Sequence, residues 1–236
     1  GITCDVAAGH SLGEYSALVA SGVVGFEETI FSVRQRGHFM QEAVPVGKGG
    51  MAAVIGLDGD KIVKICKDTE AKYNVVVEAV NFNCPEQIVI AGTVAGVEKA
   101  TLALKEAGAK RVITLQVSAP FHSSLMRSAA EKLADVINSV PFHDAKVPVY
   151  ANVTAKPVQD KEIIKKLLVK QAASPVLWEQ SVQNMVNDGV DTFVEVGPGK
   201  VLSGFVKRIA KDVNILNVED VESLEKTLTF LKGKKA

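Results

Sequence analysis

The chain has little cysteine, few aromatic residues and no excess of charge of either sign. Its three cysteines in 236 residues (Cys4, Cys66, Cys84) stand far apart, without the paired spacings of a zinc site or a disulfide framework. Such a set reads as reduced thiols and predicts a cytoplasmic protein. Lysine plus arginine and aspartate plus glutamate number 27 each, so the formal net charge is zero. That balance argues against a nucleic-acid surface or an anionic membrane surface as the main partner. No apolar run approaches the ~20 residues of a membrane span, and the opening residues carry no basic-then-apolar leader pattern. With aromatics at 6 %, the core falls to valine, alanine and isoleucine, which suits an α/β protein. Histidine is scarce as well (His10, His38, His122 and His143), and this narrows any search for a catalytic base.

What the chain does have is Gly9-His10-Ser11-Leu12-Gly13, a G-x-S-x-G sequence between an apolar run and a helical run. In that context the sequence forms a nucleophile elbow. Flanking glycines let the backbone turn sharply and leave space around the serine. The Ser11 oxygen then sits at the tip of the turn, and the Leu12 N–H lies at a helix N-terminus, suited to hold a developing oxyanion. The plainer alternative is a strand–turn–helix with no chemistry, because short motifs arise by chance.

Hydrophobic periodicity organises the rest. A strand is expected at 2–7, a helix at 12–20 stopped by Gly22, and a helix at 26–43 with Glu27 and Glu28 in its first turn. Pro45, Gly47, Gly49 and Gly50 mark a boundary. Strand 51–57, helix 60–69, strands 75–82 and 87–91 joined by Asn83-Cys84-Pro85-Glu86, helix 93–107 and strand 111–117 follow, the β-α-β-β-α-β order of a ferredoxin-like unit. The α/β alternation then resumes with helix 124–138, strand 147–153, helices 160–172 and 176–187, strand 192–196, helix 201–209, strand 214–218 and helix 221–231. The Lys232-Gly233-Lys234-Lys235-Ala236 end reads as a solvated tail. The expected division is a core of 1–48 and 118–236 with a small unit, 49–117, inserted into it.

A nucleophilic serine needs a base. His10 adjoins Ser11, but neighbours on a sharp turn point in different directions. His38 reads as a surface residue of its helix, and His143 as solvated. His122 sits in a loop between the inserted unit and the next helix, a junction where clefts form; a structural histidine is the alternative there. In Arg34-Gln35-Arg36-Gly37, Arg34 reads as solvated. A glycine inside a helix costs about 1 kcal/mol relative to alanine, so Gly37 suggests close packing or close approach of a ligand. An arginine beside such a gap suits a bidentate pair with a carboxylate.

As a set, Gly9-His10-Ser11-Leu12-Gly13-Glu14-Tyr15, Arg36-Gly37 with Met40-Gln41, Pro120-Phe121-His122-Ser123 and Glu195-Val196-Gly197-Pro198-Gly199 resemble the malonyl-CoA:acyl carrier protein transacylase family, the malonyl transferases of bacterial fatty-acid synthesis. The resemblance runs from residue 1 to about residue 217 and extends to the acyltransferase domains of polyketide synthases. It implies an α/β-hydrolase-like core with a parallel sheet, an inserted ferredoxin-like subdomain, and an active site in the groove between them. It implies Ser11 as nucleophile, His122 as general base and acid, and Leu12 N–H as an oxyanion donor. By the same resemblance the backbone carbonyl of Gln171 orients the histidine and Arg36 clamps the malonyl carboxylate. Phe121 marks malonyl selectivity, and Asn81 and Asn83 line the groove. Malonyl-CoA and acyl carrier protein are the implied partners of a monomer with no cofactor and no metal. Lys200, Lys207 and Arg208 are candidates for attracting an acidic carrier. Family members begin with a strand and a Gly-Gln-Gly-type loop that supplies a second oxyanion N–H. Roughly the first quarter of the family's chain is therefore expected to precede this sequence. Two alternatives stand beside this one: a serine hydrolase or thioesterase of the α/β type, and a non-catalytic carrier-docking fragment.

Overall fold

The computed structural model describes residues 2–117 and 119–234. Residues 118, 235 and 236, and with them one expected domain boundary and the end of the expected tail, lie outside the described residues. The architecture is mixed α/β. Strand β1 (Ala7–Ala8) leads through the serine turn into α1 (Leu12–Ala20) and then α2 (Phe26–Ala43). The chain next builds an antiparallel sheet with two helices: β2 (Gly49–Ile55), α3 (Gly59–Tyr73), β3 (Val77–Cys84), β4 (Gln87–Thr93), α4 (Val94–Glu106) and β5 (Arg111–Thr114). Its strand order is β3-β4-β2-β5. Side-chain caps set the helix starts, Asp58 accepting from Lys61 N–H and Thr93 from Gly96 N–H. Strand β4 is buried along Ile88-Val89-Ile90-Ala91, because helices cover one face of this sheet and the rest of the molecule covers the other.

After a short 3₁₀ turn at Ser124–Met126 come α5 (Arg127–Ser139), β6 (Val149–Tyr150), β7 (Pro157–Val158), α6 (Lys161–Gln171), α7 (Trp178–Asn187), β8 (Thr192–Val196), α8 (Val201–Ile209), β9 (Asn214–Val218) and α9 (Val221–Lys234). The parallel pairing comes in two pieces, β1 with β6 and β8 with β9. Strand β7, absent from the sequence expectation, pairs antiparallel with β6 and starts on a proline, a residue tolerated at a sheet edge. The expected strands at 2–7 and 147–153 shrink to two residues each. Ile2 to Asp5 stay exposed, and only Ala7 and Ala8 find partners, in Val149 and Tyr150. The helix expected from residue 176 starts instead at Trp178, since Val176 is drawn into a bridge with β3.

Four helices and the central strands share one core: Tyr15 and Leu18 of α1, Met40 of α2, Leu133 and Ile137 of α5, Leu168 of α6. The four-stranded sheet keeps its own, with Ile62, Val77, Ile90 and Leu104. The two parts are sewn together by backbone bonds, Phe82 N–H to Val176 O (2.9 Å) and Val176 N–H to Val80 O (2.8 Å). Arg208 of α8 adds a further tie, donating to the Gln87 side chain (2.6 Å) and the Pro85 carbonyl.

Candidate active site

The serine turn is tight because Gly9 permits it. A methyl group on Gly9 would fall 1.9 Å from the Gly13 carbonyl carbon, so the strand end and the helix start can touch only with glycine there. Nothing crowds the corresponding position on Gly13. Ser11 itself has φ 53° and ψ −104°, a left-handed conformation that costs a non-glycine residue roughly 1–3 kcal/mol. Asn152, which follows β6 after one residue and is buried, latches this strained peptide. Its Oδ1 accepts from Ser11 N–H and its Nδ2 donates to Gly9 O, both at 2.7 Å.

Ser11 Oγ lies 2.7 Å from His122 Nε2 and 2.8 Å from Arg36 Nη2. His122, 111 residues away in sequence, is also left-handed (φ 65°) and buried. Its Nδ1 lies 2.8 Å from the carbonyl oxygen of Gln171. A carbonyl can only accept, so Nδ1 carries the proton and Nε2 presents its lone pair to the serine hydroxyl. Burial, and after it the positive field of Arg36, push the imidazole down to about 3. The ring is therefore neutral, the state a general base requires.

Arg36 reaches the site from the buried face of α2. Its Nη2 also donates to Gln171 Oε1 (3.2 Å), its guanidinium carbon stands 5.6 Å from the centroid of the Tyr15 ring, and its Nε is buried without a partner among the described residues. Arg34 points to solvent. The packing expected at Gly37 is absent: the residue is exposed and a methyl group there would meet nothing within 4 Å. Position 37 lies one residue past Arg36 and so faces away from the core, out of reach of any neighbouring side chain.

Gln171, at the end of α6 and fully buried, connects everything. Its carbonyl meets His122, its Oε1 meets Arg36, and its Nε2 donates to Ser11 O (2.9 Å) and Glu14 Oε2 (2.8 Å). Glu14 accepts a second bond on the same oxygen, from Asn152 N–H (3.1 Å). Burial raises the Glu14 carboxyl to about 7, against the pull of Gln171, Asn152 and Arg36. Leu12 is the first residue of α1, and its N–H takes no backbone partner among the described residues. Phe121 is half-buried and packs against both the main core and the Met51–Val80–Val89 cluster under the inserted sheet.

His10 does turn away from the Ser11 hydroxyl. It lies 2.8 Å from Asn83 Oδ1 through Nε2 and leans on the Trp178 ring at 5.8 Å, so Asn83 is buried and engaged with the serine turn. Asn81 keeps a buried Oδ1 with no partner among the described residues. His38 sits on the surface beside Glu42 (3.2 Å), and His143 is exposed. Of the basic residues suggested for a carrier, Lys200 is paired with Glu219 (3.2 Å) and Arg208 is spent on the tie to the β3–β4 turn and the start of β4. Sequence reasoning missed Asn152 and the role of Glu14. The one available signal was a polar residue ending an otherwise apolar run, Val149-Tyr150-Ala151-Asn152.

A cavity of about 550 Å³ opens elsewhere, along Val196 to Pro198, Val218 to Val221 and Leu224. It offers two carboxylates and apolar walls but no hydroxyl beside an imidazole, the pairing found at the serine turn. Among the described residues, no group of three or more His, Cys, Asp or Glu side chains is placed to hold a metal ion, and no helix is long and apolar enough to cross a membrane.

Residues 1–229 match the acyl transferase domain family. The chain is 49 % identical over 232 residues to the malonyl CoA-acyl carrier protein transacylase of Bacillus subtilis (strain 168), covering 98 % of this chain and 73 % of that protein. Among solved structures it superposes on the acyl-carrier-protein S-malonyltransferase of Burkholderia pseudomallei 1710b with a TM-score of 0.94 at 48 % identity, over 97 % of this chain and 74 % of that one. A malonyl-transacylase solved in complex with its type II PKS acyl-carrier protein gives the same TM-score at 45 % identity, again over 97 % and 74 %.

Proposed function

Since the chain belongs to the acyl transferase domain family, we propose that it moves a malonyl group from coenzyme A to the phosphopantetheine thiol of acyl carrier protein, through a malonyl ester on Ser11, for fatty-acid synthesis. The observation that carries this reading is the single oxygen, Ser11 Oγ, held at once by a neutral imidazole (2.7 Å) and a buried guanidinium (2.8 Å). The imidazole makes the oxygen a nucleophile, and the guanidinium marks the spot where an acid-bearing acyl group belongs.

In the first half-reaction Ser11 Oγ attacks the thioester carbonyl while its proton passes to His122 Nε2. The oxyanion is held by Leu12 N–H at the head of α1. The intermediate collapses with cleavage of the C–S bond, and His122 returns the proton to the departing coenzyme A sulfur. In the second half His122 takes the proton of the phosphopantetheine thiol. The thiolate sulfur attacks the ester carbonyl, the C–O bond to Ser11 breaks, and Ser11 recovers its proton. The carbonyl of Gln171 keeps the imidazole in the same tautomer throughout.

Arg36 pairs with the free carboxylate of the malonyl group. As it does so, Nη2 is drawn off Ser11 Oγ and a lone pair of the nucleophile is released. An acetyl group cannot do this. Phe121 packs beside His122 and contributes to malonyl selectivity, and Asn81 and Asn83 belong to the wall at His10. Residues 1–48 with 118–236 act as the acyltransferase core, and 49–117 as the unit that closes the groove. The protein works as a cytoplasmic monomer with no cofactor, metal, nucleic acid or membrane partner.

The test is intact mass after exposure to malonyl-CoA, followed by addition of holo acyl carrier protein. Wild type gains one malonyl adduct and passes it on, and Ser11→Ala gains none. An adduct at another residue, or hydrolysis outpacing transfer, overturns the proposal.

A further inference from the structure

Beneath the serine turn the protein buries one cation and one carboxylate that do not touch. Arg36 and Glu14 are 8 % and 3 % exposed, and no direct ion pair joins them. The Gln171 amide stands between them, accepting from Arg36 Nη2 on its oxygen (3.2 Å) and donating from its nitrogen to Glu14 Oε2 (2.8 Å). Resting on the malonyl reading above, the reaction brings a second carboxylate to the same guanidinium. A buried cation balances one anion; a second one, held out of water nearby, is strongly disfavoured.

We propose that Glu14 is a charge-balancing residue that sets specificity: it offsets Arg36 while no acyl carboxylate is present and takes up a proton when the malonyl carboxylate arrives. The hydrogen bonding allows this without rearrangement. Both donors to Glu14, Gln171 Nε2 and Asn152 N–H, converge on Oε2, so a proton on Oε1 leaves each bond in place. The step is balanced by one proton from the buffer, with no bond between heavy atoms made or broken.

The groups facing Glu14 are few. Arg36 of α2 and Tyr15 of α1 are the titratable partners it shares fields with, and Gln171 of α6 and Asn152 after β6 carry no charge. His122 and His10 are not among the groups that shift Glu14, and burial pushes both imidazoles down. Burial already raises Glu14 to about 7, so a further rise falls in the range where assays are run.

The test separates binding from transfer by using the Ser11→Ala chain, which cannot form the ester. Calorimetry in buffers of different protonation enthalpy gives the protons taken up on binding malonyl-CoA and, as the matched probe, acetyl-CoA. At pH 7 malonyl-CoA takes up about half a proton more than acetyl-CoA, as expected when a half-ionised carboxyl is driven to its neutral form. The Ser11→Ala, Glu14→Gln chain shows no difference. With Ser11 intact, the wild-type preference for malonyl over acetyl thioester, measured as relative kcat/KM, falls by about three- to tenfold from pH 6 to pH 8, and Glu14→Gln removes that fall. Equal proton uptake for the two thioesters, or uptake that survives in Glu14→Gln, overturns the inference. Should Glu14→Gln fail to fold, the Ser11→Ala comparison alone decides. Absence of any malonyl preference in wild type at any pH instead overturns the malonyl reading on which this rests.

Discussion

Replacing Glu14 by glutamine should raise stability at neutral and alkaline pH and leave it nearly unchanged at pH 4.5 and below. The carboxyl titrates at about 7 in the folded protein against 4.5 when exposed, because burial disfavours its charge. Between those values the native state binds more protons than the unfolded chain, so stability falls as pH rises. The full penalty, reached above pH 7, is about 3 kcal/mol at 1.36 kcal/mol per unit. His122 acts with the opposite sign. Its folded value of about 3 lies below the ordinary 6.5, so its contribution is present above 6.5 and is lost as pH drops toward 3. Over pH 4.5 to 6.5 the two slopes oppose each other and wild-type stability changes little on their account. Glutamine keeps an acceptor for Gln171 Nε2 and Asn152 N–H while removing the charge. Urea unfolding at fixed ionic strength should therefore show a mutant-minus-wild-type difference that grows from near zero at pH 4.5 to about 3 kcal/mol at pH 8. The mutant alone should lose stability as pH drops below 6.5, once the histidine slope is unopposed. Parallel mutant and wild-type curves across that range would refute the reasoning.

Other substitutions probe the remaining parts of the site. Asn152→Ala deletes both bonds that latch the strained serine peptide; a loss of about 2–4 kcal/mol in urea unfolding and at least a tenfold slower malonylation of Ser11 are expected, and an unchanged malonylation rate would sink the latch. Arg36→Lys keeps the charge but not the planar fork, so the preference for malonyl over acetyl thioester should drop about 10- to 100-fold in relative kcat/KM, whereas an unaltered ratio would mean that charge alone suffices. Gly37→Ala should stabilise the protein by about 0.5–1 kcal/mol with transfer activity intact, and a fall in transfer would show that a ligand does approach α2 at that point.

The elements were legible where hydrophobic period and punctuation agreed. Strand β8 and helix α8 lie where periodicity puts them, and α2 runs from Phe26 to Ala43 as its apolar spacing and acidic first turn indicate. The short strands of the core were not legible. Val149 and Tyr150 pair while their apolar neighbours do not, and pairing depends on what lies alongside rather than on the residues themselves. Within the site, Ser11 announced itself through local sequence, because a sharp turn demands glycine at Gly9. His122 and Arg36 were candidates by position, one in a junction loop and the other beside a helix glycine, but their roles, and Gln171 altogether, followed from a resemblance; composition and spacing do not show that residues 11, 36, 122 and 171 meet. Asn152 was invisible because an asparagine after a strand has many ordinary uses. At Gly37 the packing half of the expectation failed for the opposite reason: its helix cost is real, but no side chain among the described residues claims the space it leaves.

The latch on the serine turn also bears on biosynthesis. The serine motif is made well before the groups that hold it, which sit 111, 141 and 160 positions later, at His122, Asn152 and Gln171. A ribosome releasing the chain from its N-terminal end therefore exposes Gly9-His10-Ser11 long before anything can deprotonate the hydroxyl or bend the peptide into its strained form. A nascent polypeptide that has not yet reached Gln171 is expected to be silent toward thioesters, with reactivity switching on late, when the most distant contacts close.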